Sequence, residues 1–126
     1  MCKILVIDDE QEIIRILEEF LAKMGFDLIT AVGGEKAIEI INSQAKIDLI
    51  VLDMKMPKVK GIDVLKELRR AGRQNPVIIL TGSIDAQKHR GQLSELGYNP
   101  DDICYKPIDL YVLLDMIKKK LPKEPK

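Results

Sequence analysis

Three aspartates of this sequence stand where short apolar segments end. Asp8 and Asp9 follow Ile4–Ile7, and Asp53 follows Leu49–Leu52. A carboxylate at the end of a buried segment destabilises the fold unless a cation or a hydrogen-bond donor compensates its charge. Neighbouring carboxylates also repel one another and raise each other's pKa values, which a bound divalent cation relieves. Because the ligands would all be oxygens, they favour Mg²⁺, Mn²⁺ or Ca²⁺ over zinc.

A hydroxyl and an ammonium group stand at comparable places further along the chain. Thr81 follows Val77–Leu80, and Lys106 follows Ile103–Tyr105. Taken alone, an aspartate such as Asp8 would be interpreted as a turn residue or a helix N-cap. Three carboxylates, a hydroxyl and an ammonium, each after a segment of strand length, instead indicate a site at one edge of a sheet.

Two patterns of apolar residues alternate along the sequence, and they predict the strands and helices that must position these groups. Short β-branched apolar runs predict strands, and the segments between them have helical apolar spacing. Runs that are apolar throughout favour strands covered on both faces. The predicted fold is therefore α/β, a doubly wound parallel sheet of five strands with helices on both faces. The strands are predicted at Ile4–Ile7, Leu28–Ala31, Leu49–Leu52, Val77–Leu80 and Ile103–Tyr105.

The predicted helices differ in how well the sequence supports them. Gly25 and Gly72 follow the first and third helices as C-caps, and Asp109 is a plausible N-cap of the last. Segment 86–96 has few apolar anchors and an internal Gly91. We therefore expect it to be the least stable helix and the element that moves most readily.

Length and composition exclude several classes of protein. The chain has 126 residues, enough for one domain at 1–121, with 122–126 as a polar tail or the start of a linker. Lys plus Arg and Asp plus Glu number 20 each. The sequence therefore has no excess of positive charge that would predict direct nucleic-acid binding. Without a predicted membrane span or signal peptide, and with Cys2 and Cys104 interpreted as free thiols, the protein is expected in the cytoplasm.

Four short stretches resemble one protein family along nearly the whole chain. They are VIDDE at 6–10, VLDMKMPKVKG at 51–61, ILTGS at 79–83 and YKP at 105–107. In this order and at strand ends, they are similar to the receiver domains of two-component response regulators. The resemblance implies the flavodoxin-like strand order 2-1-3-4-5.

The resemblance also implies a role for each residue of the predicted site. Asp53 would accept a phosphoryl group, with Thr81 and Lys106 contacting that group. Mg²⁺ (or Mn²⁺) would be bound by Asp8, Asp9, Asp53 and the backbone carbonyl of Lys55. Such a domain is a signalling switch rather than an enzyme, and at most catalyses its own phosphoryl transfer and slow dephosphorylation. A cis bond between Lys106 and Pro107 is implied as well.

The implied partners follow from the same resemblance. A histidine kinase or a histidine phosphotransfer protein would supply the phosphoryl group. An output domain or effector protein would bind the face formed by the fourth helix, the fifth strand and the last helix. That face could also support a phosphorylation-dependent homodimer. No membrane partner is expected.

Three features depart from the family's pattern. Ile103 stands where the family often has a switch aromatic, and Tyr105 either replaces that residue or the aromatic switch is missing. The stretch LGYNPDD at 96–102 is about two residues longer than usual. Lys55 lies beside the expected path of an attacking water, where its ammonium could stabilise the phosphoryl group or hinder hydrolysis.

Three other functions share parts of this pattern. A haloacid-dehalogenase-type phosphatase needs a second acid where the chain has Lys55. A flavin carrier needs a hydroxyl- and glycine-rich loop where the chain has DDEQE at 8–12. The remaining alternative is a pseudo-receiver, a phosphorylation-independent interaction module, which the presence of all the chemical positions disfavours.

Overall fold

The computed structural model describes residues 2–121, and its core is a single sheet. Each predicted strand is present, extended at most by one residue at either end. The strands are β1 (Lys3–Asp8), β2 (Asp27–Val32), β3 (Leu49–Asp53), β4 (Val77–Thr81) and β5 (Ile103–Tyr105).

All strand pairs are parallel, and the spatial order is β2-β1-β3-β4-β5. The predicted strand order is therefore confirmed. In a parallel sheet every strand ends at the same edge, so Asp8, Asp53 and Thr81, the last residues of three strands, lie along that edge. The site begins at this edge, where β1 and β3 lie side by side.

Within residues 2–121, six α-helices connect and cover the strands. Gly25 and Gly72 have φ values of +92° and +74° after the first and third helices, as helix-terminating glycines do. The Asp109 side chain accepts hydrogen bonds from Tyr111 N and Val112 N and caps the last helix. The helices are α1 (Gln11–Lys23), α2 (Gly34–Ile41), α3 (Gly61–Arg70), α4 (Ser83–Lys88), α5 (Arg90–Glu95) and α6 (Leu110–Lys120).

Apolar side chains alternate between two cores, one on each side of the sheet. Leu5 and Ile7 of β1 pack with α2 and α3, whereas Ile4 and Val6 pack with α1 and α6. This period of two explains why the central strands are apolar throughout. Asp8 continues the face of Ile4 and Val6, so its carboxylate ends a buried row.

The structure corrects the expectation of one helix over 86–96. The chain instead forms α4 and α5, which are six residues each and are separated at His89, whose φ and ψ are −105° and 7°. Only Ala86 and Leu93 of these helices are buried, so little apolar packing stabilises a continuous helix across the break.

Two expectations concern the ends of the chain and membranes. The predicted tail or linker at 122–126 lies outside the described residues. Within 2–121, no helix is both long and apolar enough to cross a membrane.

Candidate functional site

An acidic cluster lies at the carboxyl ends of β1 and β3. Ile7 and Leu52 are lateral partners in these neighbouring strands, so the residues that follow them lie side by side. Carboxylate oxygens of Asp8, Asp9 and Asp53 all lie within 4.8 Å of one another. The structure thus brings together the three predicted metal-binding side chains.

Asp8 is the most deeply buried member of this cluster, with 1% of its surface exposed. Its Oδ1 accepts a hydrogen bond from Glu10 N at 2.9 Å, whereas its buried Oδ2 has no hydrogen-bond partner. Burial raises the pKa of Asp8 to about 6, partly offset by the hydrogen bond from Glu10. The charge of Asp53 adds to the increase. A buried oxygen without a partner, facing other carboxylates, is a position where a cation would restore the lost solvation.

Asp53 is 2% exposed and is paired with a single ammonium group. Lys106 Nζ donates to Asp53 Oδ1 at 2.9 Å, and Lys55 N donates to the same oxygen at 3.4 Å. Burial raises the pKa of Asp53, although the hydrogen bond and charge of Lys106 oppose this increase. Both contacts end on Oδ1, so Oδ2 is the oxygen that these two donors leave available.

Lys106 reaches Asp53 because β5 lies beside β4. Its backbone N–H donates to Thr81 O at 2.9 Å and extends the pairing of the two strands past their last residues. The bond between Lys106 and Pro107 is cis, as the resemblance implied. Burial alone would lower the pKa of Lys106, but its hydrogen bond to Asp53 and the surrounding carboxylates raise it overall. The lysine is therefore protonated and charged.

Thr81 occupies the predicted place but does not contact the carboxylates. It is the last residue of β4 and is 2% exposed. Its hydroxyl donates to Gly82 O at 3.2 Å, a long and local hydrogen bond. Because a hydroxyl can rotate to another acceptor, this group is available to a ligand near Asp53.

The loop that follows Asp53 is held close to the sheet by two glycines. A Cβ atom on Gly61 would lie 2.6 Å from Met54 Cα and 3.0 Å from Asp53 O. A Cβ on Gly34, in the first turn of α2, would lie 2.5 Å from Val59 O. Both contacts are too short for any side chain, so the loop packs against backbone on both sides.

The acidic cluster has the donor set of a hard divalent cation. Its side-chain ligands are carboxylate oxygens, and the backbone of Lys55 lies next to them because its N–H reaches Asp53. Mg²⁺ typically uses one or two carboxylates with waters and phosphate oxygens. Together with the partnerless Oδ2 of Asp8, this composition fits Mg²⁺ or Mn²⁺.

Comparison with known proteins identifies the family. The family model described as the response regulator receiver domain matches residues 4–118. This chain belongs to that family. The receiver domain is thus defined by its sequence as well as by the order of its strands.

Curated relatives of this receiver domain are longer proteins. It is 42% identical over 105 residues to the alkaline phosphatase synthesis transcriptional regulatory protein PhoP of Bacillus subtilis (strain 168), a match covering 83% of this chain and 42% of that protein. It is also 42% identical over 109 residues to the transcriptional regulatory protein CpxR of Escherichia coli (strain K12), covering 86% and 44% respectively. The chain therefore spans less than half the length of these relatives.

Solved structures show the same fold as this receiver domain. The chemotaxis protein CheY4 of Vibrio cholerae superposes with a TM-score of 0.84 at 25% identity, covering 96% of this chain and 99% of that chain. A receiver domain protein from Clostridium thermocellum also gives 0.84, at 31% identity and with coverages of 95% and 94%.

Two of the three departures lie together at one groove of the receiver domain, whereas Lys55 lies in the cleft of Asp53. Ile103 and Tyr105 line a cavity of about 390 Å³ together with Tyr98 and Pro100 of the LGYNPDD stretch. Tyr105 is 49% exposed and is the lateral partner of Thr81 in β4. Tyr105, the aromatic residue of β5, is therefore level with Thr81 in the sheet, whereas Ile103 is level with Ile79.

Several residues of the site were not found from the sequence. Asp53, Lys55 and Lys106 line a cleft of about 840 Å³ that also has Lys60, Lys88 and His89 in its walls. Lys60 lies within the stretch VLDMKMPKVKG, and Lys88 and His89 lie in the segment predicted as one helix. No residue type or spacing signalled these three positions.

Proposed function

We propose that this receiver domain is a phospho-accepting switch in which Asp53 receives a phosphoryl group from a phosphohistidine donor. The reaction depends on Mg²⁺ (or Mn²⁺) bound by Asp8, Asp9, Asp53 and the carbonyl of Lys55. The observation that carries the proposal is the Lys106–Asp53 contact of 2.9 Å beside an acidic cluster spanning 4.8 Å. A nucleophilic carboxylate with a fixed cation and a cation-binding cluster is what phosphoryl transfer to aspartate requires.

The transfer step follows from the two oxygens of Asp53. Lys106 holds Oδ1, so the carboxylate is fixed in orientation and Oδ2 can attack the phosphorus atom. The new P–O bond forms as the P–N bond to the donor imidazole breaks, and the imidazole nitrogen keeps that electron pair. A divalent cation, when bound, supplies positive charge to the phosphoryl oxygens.

Two groups are placed to respond once Asp53 is modified. The ammonium of Lys106 can pair with the phosphoryl oxygens instead of the neutralised carboxylate. Thr81 can exchange its weak hydrogen bond to Gly82 for one to the phosphoryl group. Movement of Thr81 would affect β4 and the start of α4, since α4 begins two residues later at Ser83.

The same geometry supports a proposal about the output surface. Tyr105 lies beside Thr81 and also lines the groove between α4–α5 and β5. A change at Thr81 would therefore reach a surface with two short helices and an exposed aromatic ring. An output domain, an effector protein or a second phosphorylated copy would bind the surface formed by α4, α5, β5 and α6.

The donor is proposed to be a histidine kinase or a histidine phosphotransfer protein. The chain has one histidine, His89. It is half-buried in the wall of the acceptor cleft. We assign the donor role to a histidine outside residues 2–121, which would enter this cleft.

The proposal is tested by intact mass after incubation with acetyl phosphate, with and without Mg²⁺. We expect the mass of one phosphoryl group to be gained only with Mg²⁺, and no gain in Asp53→Asn. If the wild type gains no mass while a control receiver domain does, the proposal fails and the pseudo-receiver alternative, which no present observation favours, replaces it.

A further inference from the structure

Lysines on two separate segments flank the acceptor cleft. Lys60 precedes α3 in the loop after Asp53, and Lys88 is the last residue of α4. Both line the cleft that contains Asp53 and Lys106, and both are exposed. Among residues 2–121, neither forms an ion pair within 4.0 Å, although Asp85 lies in the same cleft wall.

The cleft is larger than the group transferred in the proposed reaction. Its volume of about 840 Å³ lies within the range of pockets that hold whole small molecules, roughly 300–1,000 Å³. A phosphoryl group on Asp53 would occupy only the floor. The remaining space, which Lys60 and Lys88 also line, would hold the part of the donor that leaves.

The charged groups of the cleft differ in burial. Asp53, at the floor, is buried and lies next to Asp8 and Asp9, the groups that a divalent cation would neutralise. Lys60 and Lys88, at the flanks, are exposed, and the carboxylates of Glu10 and Asp85 in the same cleft form no ion pair with them. Once a divalent cation neutralises the aspartates, Lys60 and Lys88 would attract a negative group that enters the cleft together with the phosphoryl group.

We propose that Lys60 and Lys88 form a second anion-binding subsite, which selects phosphoryl donors whose leaving part carries its own negative group. The ligand class is an acyl phosphate bearing an additional carboxylate. This inference rests on the proposed function of Asp53 and extends it to donor specificity.

The reaction with such a donor is balanced without a further reactant. An oxygen of Asp53 forms a bond to phosphorus, and the bond from phosphorus to the acyl oxygen breaks. The leaving carboxylate keeps the electron pair and departs as an anion, so no proton is needed. Its additional carboxylate remains near Lys60 and Lys88 throughout the step.

Matched donors isolate the effect of the additional carboxylate. Benzoyl phosphate is compared with 3-carboxybenzoyl and 4-carboxybenzoyl phosphate, which differ from it only by one carboxylate. In the wild type we expect at least one carboxylated donor to phosphorylate the receiver domain about fivefold faster, as partly solvated ion pairs permit. This advantage should decrease as ionic strength increases.

Two double variants with the same change in net charge distinguish a subsite from general electrostatics. Lys60→Gln with Lys88→Gln should reduce the rate ratio of carboxylated to plain donor to about one. Lys66→Gln with Lys118→Gln removes exposed lysines outside the cleft and should leave the ratio unchanged. Lys55 is kept in every variant because it lies two residues from the acceptor.

The outcomes separate this inference from the proposed function. No modification by any of the three donors or by acetyl phosphate, with Mg²⁺ present, would contradict phosphorylation of Asp53 itself. Modification with equal rates for all three donors would overturn the subsite alone. An advantage that both double variants lose equally would also overturn it, since the effect would then come from net charge.

Discussion

Replacing Asp8 with asparagine should stabilise the protein in the absence of metal. Asp8 Oδ1 accepts from Glu10 N, and an asparagine oxygen can accept the same hydrogen bond. The partnerless Oδ2 would become an amide donor among the carboxylates of Asp9 and Asp53, which lie within 4.8 Å. The substitution therefore removes a buried charge and adds a donor where only acceptors are present.

The magnitude follows from the pKa of Asp8, which burial raises from 3.8 to about 6. The folded state holds the proton of Asp8 more tightly than the unfolded state does. Raising the pH from about 4 to about 6 therefore lowers the free energy of unfolding, and the whole cost of the buried charge is present above about pH 6. At about 1.4 kcal/mol for each pKa unit, the cost at neutral pH is about 3 kcal/mol. Asp8→Asn should recover up to that amount at neutral pH and little below about pH 4.

Urea unfolding with a metal chelator present measures this difference. We expect the free energy of unfolding to exceed that of the wild type by about 2–3 kcal/mol at pH ~7.5, with the gap narrowing at pH ~4. Asp101→Asn is the control, because it removes an exposed carboxylate outside the cluster. An equal gain at both pH values, or an Asp8→Asn protein less stable than the wild type at neutral pH, would refute the argument.

Mg²⁺ should reverse the order of the two proteins. A ligand that binds only the folded state stabilises it by RT ln(1 + [L]/Kd), so the wild type gains stability as the Mg²⁺ concentration increases. Asp8→Asn lacks one charged ligand and should gain less. Equal gains in the two proteins would mean that Asp8 does not contribute to binding the ion.

Three further predictions concern residues around the acceptor. Lys106→Met should slow phosphorylation of Asp53 by acetyl phosphate about 100-fold, measured by intact mass over time, because the 2.9 Å contact is lost. Lys58 has a φ of 62°, so Lys58→Gly should raise the free energy of unfolding by about 0.5 kcal/mol in urea titrations. Lys55→Asn should shorten the lifetime of phosphorylated Asp53 about twofold or more, since an amide can orient an attacking water that an ammonium displaces.

Each of these predictions has a result that contradicts it. A Lys106→Met protein phosphorylated as fast as the wild type would exclude a role of the ammonium in the transfer. Alanine at position 58 would have the same strain at positive φ as lysine. If Lys58→Ala raised the free energy of unfolding as much as Lys58→Gly, backbone strain would be excluded as the cause. An unchanged lifetime in Lys55→Asn would show that its side chain does not affect hydrolysis.

Most of the fold could be predicted because the strands of a two-sided sheet have a strong local signal. Leu49–Leu52 and Val77–Leu80 are apolar throughout, and each proved to be a buried strand extended by the polar residue that follows it. The same rule placed Asp53 and Thr81 at one edge of the sheet. The acidic cluster was predictable because the topology, rather than side-chain detail, brings its members together.

The helix break at His89 could not be predicted from local patterns. Gly91 and the few apolar residues of 86–96 indicated weakness but not where the helix would end, since that depends on how Ala86 and Leu93 pack onto the sheet. The position of Lys88 at the end of α4 depends on this packing as well. The hydrogen bond from the Thr81 hydroxyl to Gly82 O is local, but the side-chain rotamer that forms it has no sequence signal either.

The most direct test of the central claim identifies the residue that receives the phosphoryl group. The receiver domain is phosphorylated with acetyl phosphate and Mg²⁺ and reduced with borohydride, which converts an aspartyl phosphate to homoserine, before peptide mass mapping. We predict homoserine at position 53 and nowhere else. Homoserine at position 8 or 9, or phosphate retained on Thr81 with Asp53 unmodified, would contradict the account.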